Sequence, residues 1–265
     1  MITVIGCGWL GLPLAEELIK QGHRVAGSTR KAALLEELQS IGIEGFLYDG
    51  EQNMPLPDEI CAGTNCLILT LPPQKRDEPK YYGELLASIV RQFKQLKQVI
   101  FTSSTGVYPQ CSGTYAEDFS FLENEKENNV LFQAEQALET AAGSNLCILR
   151  LAGLFGGGRH PVHQLVGRLD VKNPSGVVNL VHRSDVIRCI VRCIGNEHAK
   201  GIFNVVSPEH PWRKDYYTKL YRQHNLPSIG FIPSQTIERR ISSVKIAETL
   251  GFKFQHSIYE LADSL

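Results

Sequence analysis

Three glycines near the start of the chain have the spacing of a phosphate-binding loop. Gly6, Gly8 and Gly11 follow a short apolar run and open an amphipathic stretch. In a Gly-x-Gly-x-x-Gly loop the first glycine makes a tight turn, the second lets the backbone approach a diphosphate, and the third allows close helix–strand packing. Amide groups at the start of the helix then bind the diphosphate. The pattern predicts a dinucleotide site that includes Trp9 and Leu10, and a glycine turn kept only for packing is the alternative.

The segment after the second apolar run indicates which dinucleotide would bind. NAD sites usually place Asp or Glu about 20 residues beyond the glycines. This chain has Ser28, Thr29, Arg30 and Lys31 there, and the next acidic residue is Glu36. An arginine can bind the 2′-phosphate of NADP through two hydrogen bonds, and neighbouring hydroxyls can add neutral ones. We therefore expect NADP rather than NAD, although NAD stays possible if the two basic residues only occupy an exposed helix start.

Bulk composition excludes several classes of protein. The chain has 265 residues, 43% of them apolar and 21% charged, with a net charge of −1, which is typical of a globular protein. It has no basic block for nucleic acid and no run of about 20 apolar residues for a membrane span. Its first residues lack the basic region of a secretion signal. Seven scattered cysteines without a Cys-x-x-Cys pair predict buried thiols rather than a metal site. We expect a cytoplasmic protein.

Strand and helix patterns alternate through the first 150 residues. The predicted strands are residues 2–6, 23–28, 45–48, 66–71, 98–103 and 146–151, and the predicted helices are about 9–21, 30–41, 79–96 and 127–142. This rhythm predicts an α/β fold with a doubly wound parallel sheet, that is, a Rossmann core. Asp49, after the third strand, would accept a hydrogen bond from an adenine amino group, although acids are ordinary in turns.

The last third of the chain has a looser rhythm. It contains a glycine-rich loop, two further strand–helix pairs and a helical tail, at residues 153–161, 179–194, 201–224 and 242–252. Ser184 or Asp185 would cap the helix of the first pair. We expect the Rossmann core to span residues 1–157, completed by about 177–206. Residues 158–176 and 207–265 would form a small substrate-side lobe at the sheet's carboxyl edge, where open α/β sheets bind ligands.

The segments GCGWLG, FTSSTGVYP, LRLAGLFGGGRHP and VNLVHRSDV carry a family resemblance. With these motifs in order, the chain resembles the extended or atypical short-chain dehydrogenase/reductase superfamily, its epimerase/dehydratase-like group, and in particular the YeeZ-type proteins. The resemblance implies a nicotinamide dinucleotide and a small-molecule substrate. It also implies a possible homodimer formed through the helices near 79–96 and 127–142, which would be a symmetric contact.

The same resemblance places the catalytic residues. The family's active-site hydroxyl falls on Ser104, but Glu127 and Leu131 stand where the catalytic Tyr-x-x-x-Lys pair should be. Three side chains could replace the pair. Tyr108 could donate a proton as a neutral phenol or simply pack in the cleft. His160 titrates in the right range but could be a loop residue in contact with solvent. Glu127 could be a base if buried, or a partner of a helix dipole.

The remaining contacts implied by the resemblance concern the cofactor and the substrate. Expected cofactor contacts are Leu71, Pro72, Pro73, Ala152 and Gly153. Expected substrate contacts are Thr105, Arg159 and His160, and the arginine suits an anionic substrate, although it could merely hold the glycine-rich loop.

Two functions are compatible with these residues. The first is an NADP(H)-dependent oxidoreductase or epimerase of a small, nucleotide-linked or anionic metabolite, which uses Ser104 with Tyr108. The second is a non-catalytic NADP(H)-binding redox sensor or regulatory protein. Loss of the tyrosine and lysine favours the second, whereas the retained hydroxyl run and lobe favour the first.

Overall fold

The computed structural model describes residues 1–50, 54–73 and 79–261. Its strands are β1 (Ile2–Ile5), β2 (Val25–Thr29), β3 (Glu44–Leu47), β4 (Cys66–Leu69), β5 (Gln98–Ser104), β6 (Gly113–Tyr115), β7 (Leu146–Leu151), β8 (Gly153–Phe155), β9 (Leu180–His182), β10 (Gly201–Val205) and β11 (Arg239–Ile241). Its α-helices are α1 (Gly11–Lys20), α2 (Leu35–Ile41), α3 (Asp58–Gly63), α4 (Pro79–Arg91), α5 (Glu123–Glu127), α6 (Val130–Ala142), α7 (Pro161–Gln164), α8 (Arg183–Cys193), α9 (Arg213–Gln223) and α10 (Val244–Leu250).

Seven strands form the central parallel sheet, in the order β10-β7-β5-β4-β1-β2-β3. Every residue of β1, β4 and β7 is buried, as expected for strands covered by helices on both faces. The strand order reverses between β1 and β4, whose first residues Ile2 and Cys66 are in register. The expected doubly wound sheet is confirmed, and its switch point lies where such folds bind ligands.

Small residues let α4 and α6 pack closely. A Cβ atom on Gly83 would lie 2.9 Å from the Gln133 carbonyl oxygen and 3.1 Å from the Ala137 side chain. Leu86 of α4 and Leu138 of α6 are fully buried in the same core as the sheet. The homodimer expected through these helices stays a prediction.

The chain divides into two compact units. Unit 1 comprises Met1–Val107, Phe121–Arg150 and Cys189–Ile202, and unit 2 comprises Tyr108–Ser120, Leu151–Arg188 and Phe203–Leu265. Unit 2 has its own core, in which Phe155, Tyr216, Leu220 and Ile258 are inaccessible to solvent.

Several elements differ from the sequence prediction. The helix expected over 127–142 is two helices, because Asn129 caps α6 by accepting a hydrogen bond from the Phe132 amide. The loop expected at 153–161 begins as β8, which pairs with β9. Helix α8 begins at Arg183, so the predicted cap residues, Ser184 and Asp185, lie inside its first turn. Within the described residues, no helix is long and apolar enough to span a membrane.

Candidate cofactor and catalytic site

The glycine loop has the geometry that a diphosphate requires. Gly6 has a φ of +107°, and its carbonyl accepts hydrogen bonds from the Gly8 amide and the Thr70 hydroxyl. A Cβ on Gly11 would lie 2.1 Å from the Gly6 oxygen, whereas a Cβ on Gly8 would meet no protein atom within 4 Å. The exposed Gly8 thus borders open space that a Cβ would begin to fill. The loop therefore fits a bound diphosphate.

The packing of Cys7, which follows β1, against the neighbouring parallel strand β2 also depends on a small residue. A Cβ on Gly27 would lie 2.6 Å from the Cys7 sulfur. Burial raises the pKa of the Cys7 thiol to about 12, so the thiol stays neutral and acts as a packing group. The sequence pattern did not identify this contact.

Ser28 and Thr29, two of the residues predicted to select the dinucleotide, accept hydrogen bonds from backbone amides. Ser28 is buried, and its Oγ accepts a hydrogen bond from the Gly6 amide. Thr29 is also buried, and its hydroxyl accepts from the Lys31 amide. Arg30 is exposed. Both hydroxyl oxygens thus accept bonds that shape the loop, and the neutral hydrogen bonds expected from Ser28 and Thr29 to a cofactor stay predictions, as does the contact of Arg30 with a 2′-phosphate.

The other cofactor candidates of unit 1 surround the carboxyl ends of the strands. Trp9 is half-buried and Leu10 is buried. The Leu71 carbonyl accepts a hydrogen bond from the Tyr82 hydroxyl, and Pro72 and Pro73, which follow it, are exposed. Asp49 is half-buried. Their contacts with a cofactor stay predictions.

The hydroxyl run ends β5 in a tight turn. Ser104 is half-buried, and its Oγ accepts a hydrogen bond from the Gly106 amide at 3.0 Å. A Cβ on Gly106 would lie 3.5 Å from Cδ1 of Leu131. Asn129 fixes α6 to the same turn by donating a hydrogen bond to the Val107 carbonyl. Thr105, a predicted substrate contact, is only 4% exposed. Leu131, the position to which the resemblance assigns the lysine, therefore lies beside the turn and carries an aliphatic side chain.

Glu127 does not fit the role of a buried base. It is exposed and is the last residue of α5, two residues before the Asn129 cap. The expectation that it stands at a helix start, where a dipole would stabilise it, is also wrong.

A buried polar network lies behind the turn, and neither the type nor the spacing of its residues in the sequence points to it. The Glu135 carboxylate accepts hydrogen bonds from Ser103 Oγ at 2.6 Å and from Arg150 Nη2 at 2.6 Å and Nε at 3.1 Å. All three side chains are at most 5% exposed. The Arg150 guanidinium also lies over the ring of Phe121. Glu135 follows Leu131 by one helical turn, so it lies on the same side of α6. The network ties β5 to α6 and β7.

In unit 2, Tyr108 is a buried aromatic residue. It is 1% exposed, and its ring packs against Tyr115 and Phe119. Its hydroxyl donates toward Asn204 Oδ1 at 2.9 Å and the Ala116 carbonyl at 3.0 Å. This environment matches the packing alternative, and the proton-donor role stays a prediction.

His160 is buried in unit 2 and is not a solvent-exposed loop residue. Its Nδ1 accepts a hydrogen bond from the Val162 amide, which caps α7, and its Nε2 lies 3.2 Å from the Tyr216 hydroxyl. Burial lowers the pKa of His160 to about 4, so the ring is neutral at pH 7 and the expected titration near neutrality is wrong. Contact of His160 with a substrate stays a prediction, and the ring that would make this contact is neutral and already hydrogen-bonded.

The remaining candidates of unit 2 have different surroundings. Ala152 is buried and Gly153 is exposed. Arg159 is exposed and closes the glycine-rich turn through two backbone hydrogen bonds with Gly156. Asp185 is buried and accepts hydrogen bonds from the amides of Gln255 and His256, so it anchors the C-terminal segment. Among the described residues, no group of three or more His, Cys, Asp or Glu side chains could hold a metal ion.

Comparisons with known proteins agree with this architecture. Residues 1–136 match the family described as the NAD binding domain of 6-phosphogluconate dehydrogenase. The chain is 32% identical to protein YeeZ of Escherichia coli K12 over 264 residues, 96% of each chain.

Two solved structures share the fold. A short-chain dehydrogenase/reductase superfamily protein of Agrobacterium tumefaciens with bound NAD has a TM-score of 0.78 and 17% identity, covering 97% of this chain and 93% of its own. UDP-glucuronic acid 4-epimerase of Bacillus cereus in complex with NAD has a TM-score of 0.78 and 17% identity, covering 97% and 94%. The chain belongs to the family of protein YeeZ, its residues 1–136 belong to an NAD-binding domain family, and its fold is that of short-chain dehydrogenase/reductase proteins.

Proposed function

We propose that the chain is an NADP(H)-dependent oxidoreductase or epimerase of a small anionic metabolite, with Ser104 as its active-site hydroxyl. The observation that carries this proposal is the turn at the end of β5. Ser104 Oγ accepts from the Gly106 amide, and among the described residues nothing accepts its proton. The hydroxyl can therefore donate a hydrogen bond to a ligand oxygen from a position that the backbone fixes.

The cofactor choice is supported by the end of β2. Arg30 is exposed, and no carboxylate stands among residues 28–31 to repel a 2′-phosphate. When bound, a nicotinamide dinucleotide supplies hydride exchange. Gly8 would border its diphosphate, and Arg30 would pair with the phosphate on its adenosine ribose.

The proposed reaction needs a proton transfer, and the chain lacks the tyrosine and lysine that the family uses for this step. Leu131 cannot lower the pKa of a neighbouring phenol as a lysine does. Ser104 alone can orient a substrate oxygen but cannot act as a base at neutral pH. We propose that Tyr108 donates the proton as a neutral phenol, which requires its hydroxyl to leave Asn204 and Ala116.

The substrate class rests on charge and on similarity. Arg159 is exposed beside the glycine-rich turn of unit 2, which suits an anionic group. The Bacillus cereus epimerase of the same fold is named for a nucleotide-linked sugar acid. We propose that the substrate of this chain is likewise a nucleotide-linked or otherwise anionic metabolite. A cytoplasmic location and a homodimer formed through α4 and α6 complete the proposal.

The absence of the Tyr-x-x-x-Lys pair favours a second function. With Leu131 beside the turn and Glu127 exposed, the chain could bind NADP(H) without turnover, as a redox sensor or regulatory protein.

Turnover distinguishes the two functions. The protein is mixed with NADPH, and absorbance at 340 nm is followed over a panel of sugars, nucleotide sugars, keto acids and quinones, with product analysis for epimerisation. We expect Ser104→Ala to lower turnover by about 10²-fold or more without changing cofactor affinity. Ser40→Ala, on the exposed side of α2, is the matched control. No turnover on any substrate, with cofactor binding intact, would overturn the enzymatic proposal in favour of the sensor.

A further inference from the structure

Two buried polar atoms without partners lie in one turn of unit 2. Among the described residues, His210 Nδ1 and Arg213 Nε are buried and have no hydrogen-bond partner. Buried polar atoms are nearly always paired, so two within four residues require an explanation. A bound water, an ion or a ligand group normally satisfies such atoms.

A second guanidinium lies at this turn, which solvent can reach. The guanidinium of Arg240 lies over the ring of Trp212, 5.6 Å from its centroid. Trp212 is 40% exposed. The Arg240 side chain is 38% exposed and forms a surface ion pair with Glu238. His210 also senses the charge of Arg240, which helps burial to lower the pKa of the imidazole.

We propose that His210, Arg213 and Arg240 form an oxyanion-binding subsite in unit 2, which takes a phosphate or carboxylate group of a ligand. Arg213 Nε and the Arg240 guanidinium would donate charge-assisted hydrogen bonds. The proposal concerns unit 2 alone and does not rest on dinucleotide binding or on turnover.

His210 makes this subsite sensitive to protons. Its Nε2–H donates to the Val178 carbonyl, so in the neutral ring Nδ1 is an acceptor and cannot bind an anion. A protonated ring donates from both nitrogens. The charged group that acts on it is Arg240, whose Nε pairs with Glu238; Glu209 precedes His210 in the chain and Arg213 follows it by three residues, and a bound anion would offset the charge of the two arginines. Anion binding should therefore be coupled to proton uptake by His210.

Sulfate is a suitable probe because it does not itself titrate near neutral pH. Trp9→Phe leaves Trp212 as the only tryptophan of the two in the chain, so its fluorescence reports on the subsite. Sulfate is titrated at constant ionic strength from pH 5 to pH 8. We expect saturable, millimolar binding that tightens as the pH falls, by up to about tenfold per unit.

Variants separate a built subsite from general charge attraction. Arg213→Gln should weaken sulfate binding by about tenfold or more, whereas Arg222→Gln, the same change at the exposed end of α9, should not. His210→Gln should remove the pH dependence, which provides a second readout if Arg213→Gln folds poorly. Methyl phosphate and acetate, tested as competitors, distinguish a phosphate from a carboxylate ligand. The proposal is overturned if sulfate does not saturate, if the two arginine variants behave alike, if His210→Gln keeps the pH slope, or if neither competitor displaces sulfate.

Discussion

Glu135 and Arg150 form a bidentate ion pair that is almost completely buried, with side chains 3% and 2% exposed. Removing one partner leaves the other charge buried and alone, so Glu135→Ala should lower the free energy of unfolding by about 3–5 kcal/mol. Replacing both, as Glu135→Leu with Arg150→Met, should cost much less. Urea unfolding measures each value. Arg24→Ala, which breaks an exposed pair with Glu44, is the control at about 0–1 kcal/mol. Equal costs for Glu135→Ala and Arg24→Ala would contradict this prediction.

Two substitutions in the glycine loop distinguish its role in cofactor binding from its role in folding. Gly8→Ala adds a Cβ in open space, so the variant should keep its Tm but lose cofactor affinity by about tenfold or more, because the methyl group occupies room for the diphosphate. Gly11→Ala should also unfold more easily, because its Cβ would lie 2.1 Å from the Gly6 oxygen. Thermal unfolding and NADPH fluorescence titration measure the two effects. A Gly8→Ala variant that binds NADPH as the wild type does would show that the loop is only a packing turn.

Arg30 should select the dinucleotide. A charge-assisted hydrogen bond contributes about 1.5–3 kcal/mol, so Arg30→Ala should weaken NADPH binding by at least about tenfold and leave NADH binding unchanged. Lys20→Ala, at the far end of α1, is the matched loss of charge. Calorimetric titration with both dinucleotides gives the comparison, and an equal loss for NADPH and NADH would remove the argument for NADP.

His160 should make stability depend on pH. Its pKa is about 4 in the folded chain and near 6.5 when unfolded, so between these values the unfolded state binds more protons. The contribution of the neutral His160 ring to the free energy of unfolding is fully present above pH 6.5. It declines by roughly 3 kcal/mol in total as the pH falls toward 4. His160→Asn keeps an acceptor for the Val162 amide but does not titrate. Urea unfolding from pH 4.5 to pH 7.5 should show a steeper decline for the wild type. Parallel declines would contradict a buried, neutral His160.

Tyr108 can be assigned to packing or to chemistry by one substitution. Tyr108→Phe leaves Asn204 Oδ1 short of a donor, which should cost about 1–3 kcal/mol of stability. If the phenol also donates the catalytic proton, turnover should fall far beyond any change in folded fraction. Unfolding and turnover are measured on the same sample, and Tyr81→Phe, an exposed tyrosine, is the control. Unchanged turnover would leave Tyr108 with packing alone.

The parts of the fold that follow from local patterns were predictable. Apolar runs such as Cys66–Leu69 and Leu146–Leu151 can be satisfied only inside a covered sheet, and the glycine spacing fixes a loop whatever surrounds it. The break before α6 has a local signal too, because Asn129 is a good helix cap, but the apolar periodicity around it conceals that signal.

Other features depend on contacts between distant residues. Strands β6 and β11 are three residues long and pair Gly113 with Arg239, so neither has a pattern of its own. The Glu135–Arg150 pair is equally invisible, because each residue alone looks like an exposed charge. The neutral state of His160 follows from burial among unit 2 residues and not from its neighbours in the chain.

The separation of α5 from α6 limits what substitutions at positions 127 and 131 could achieve. A tyrosine at position 127 and a lysine at position 131 would belong to different helices, with the Asn129 cap between them. The two side chains would then lack the common helical face that brings residues four apart together. Glu127→Tyr combined with Leu131→Lys would therefore create the letters of a Tyr-x-x-x-Lys motif without its geometry.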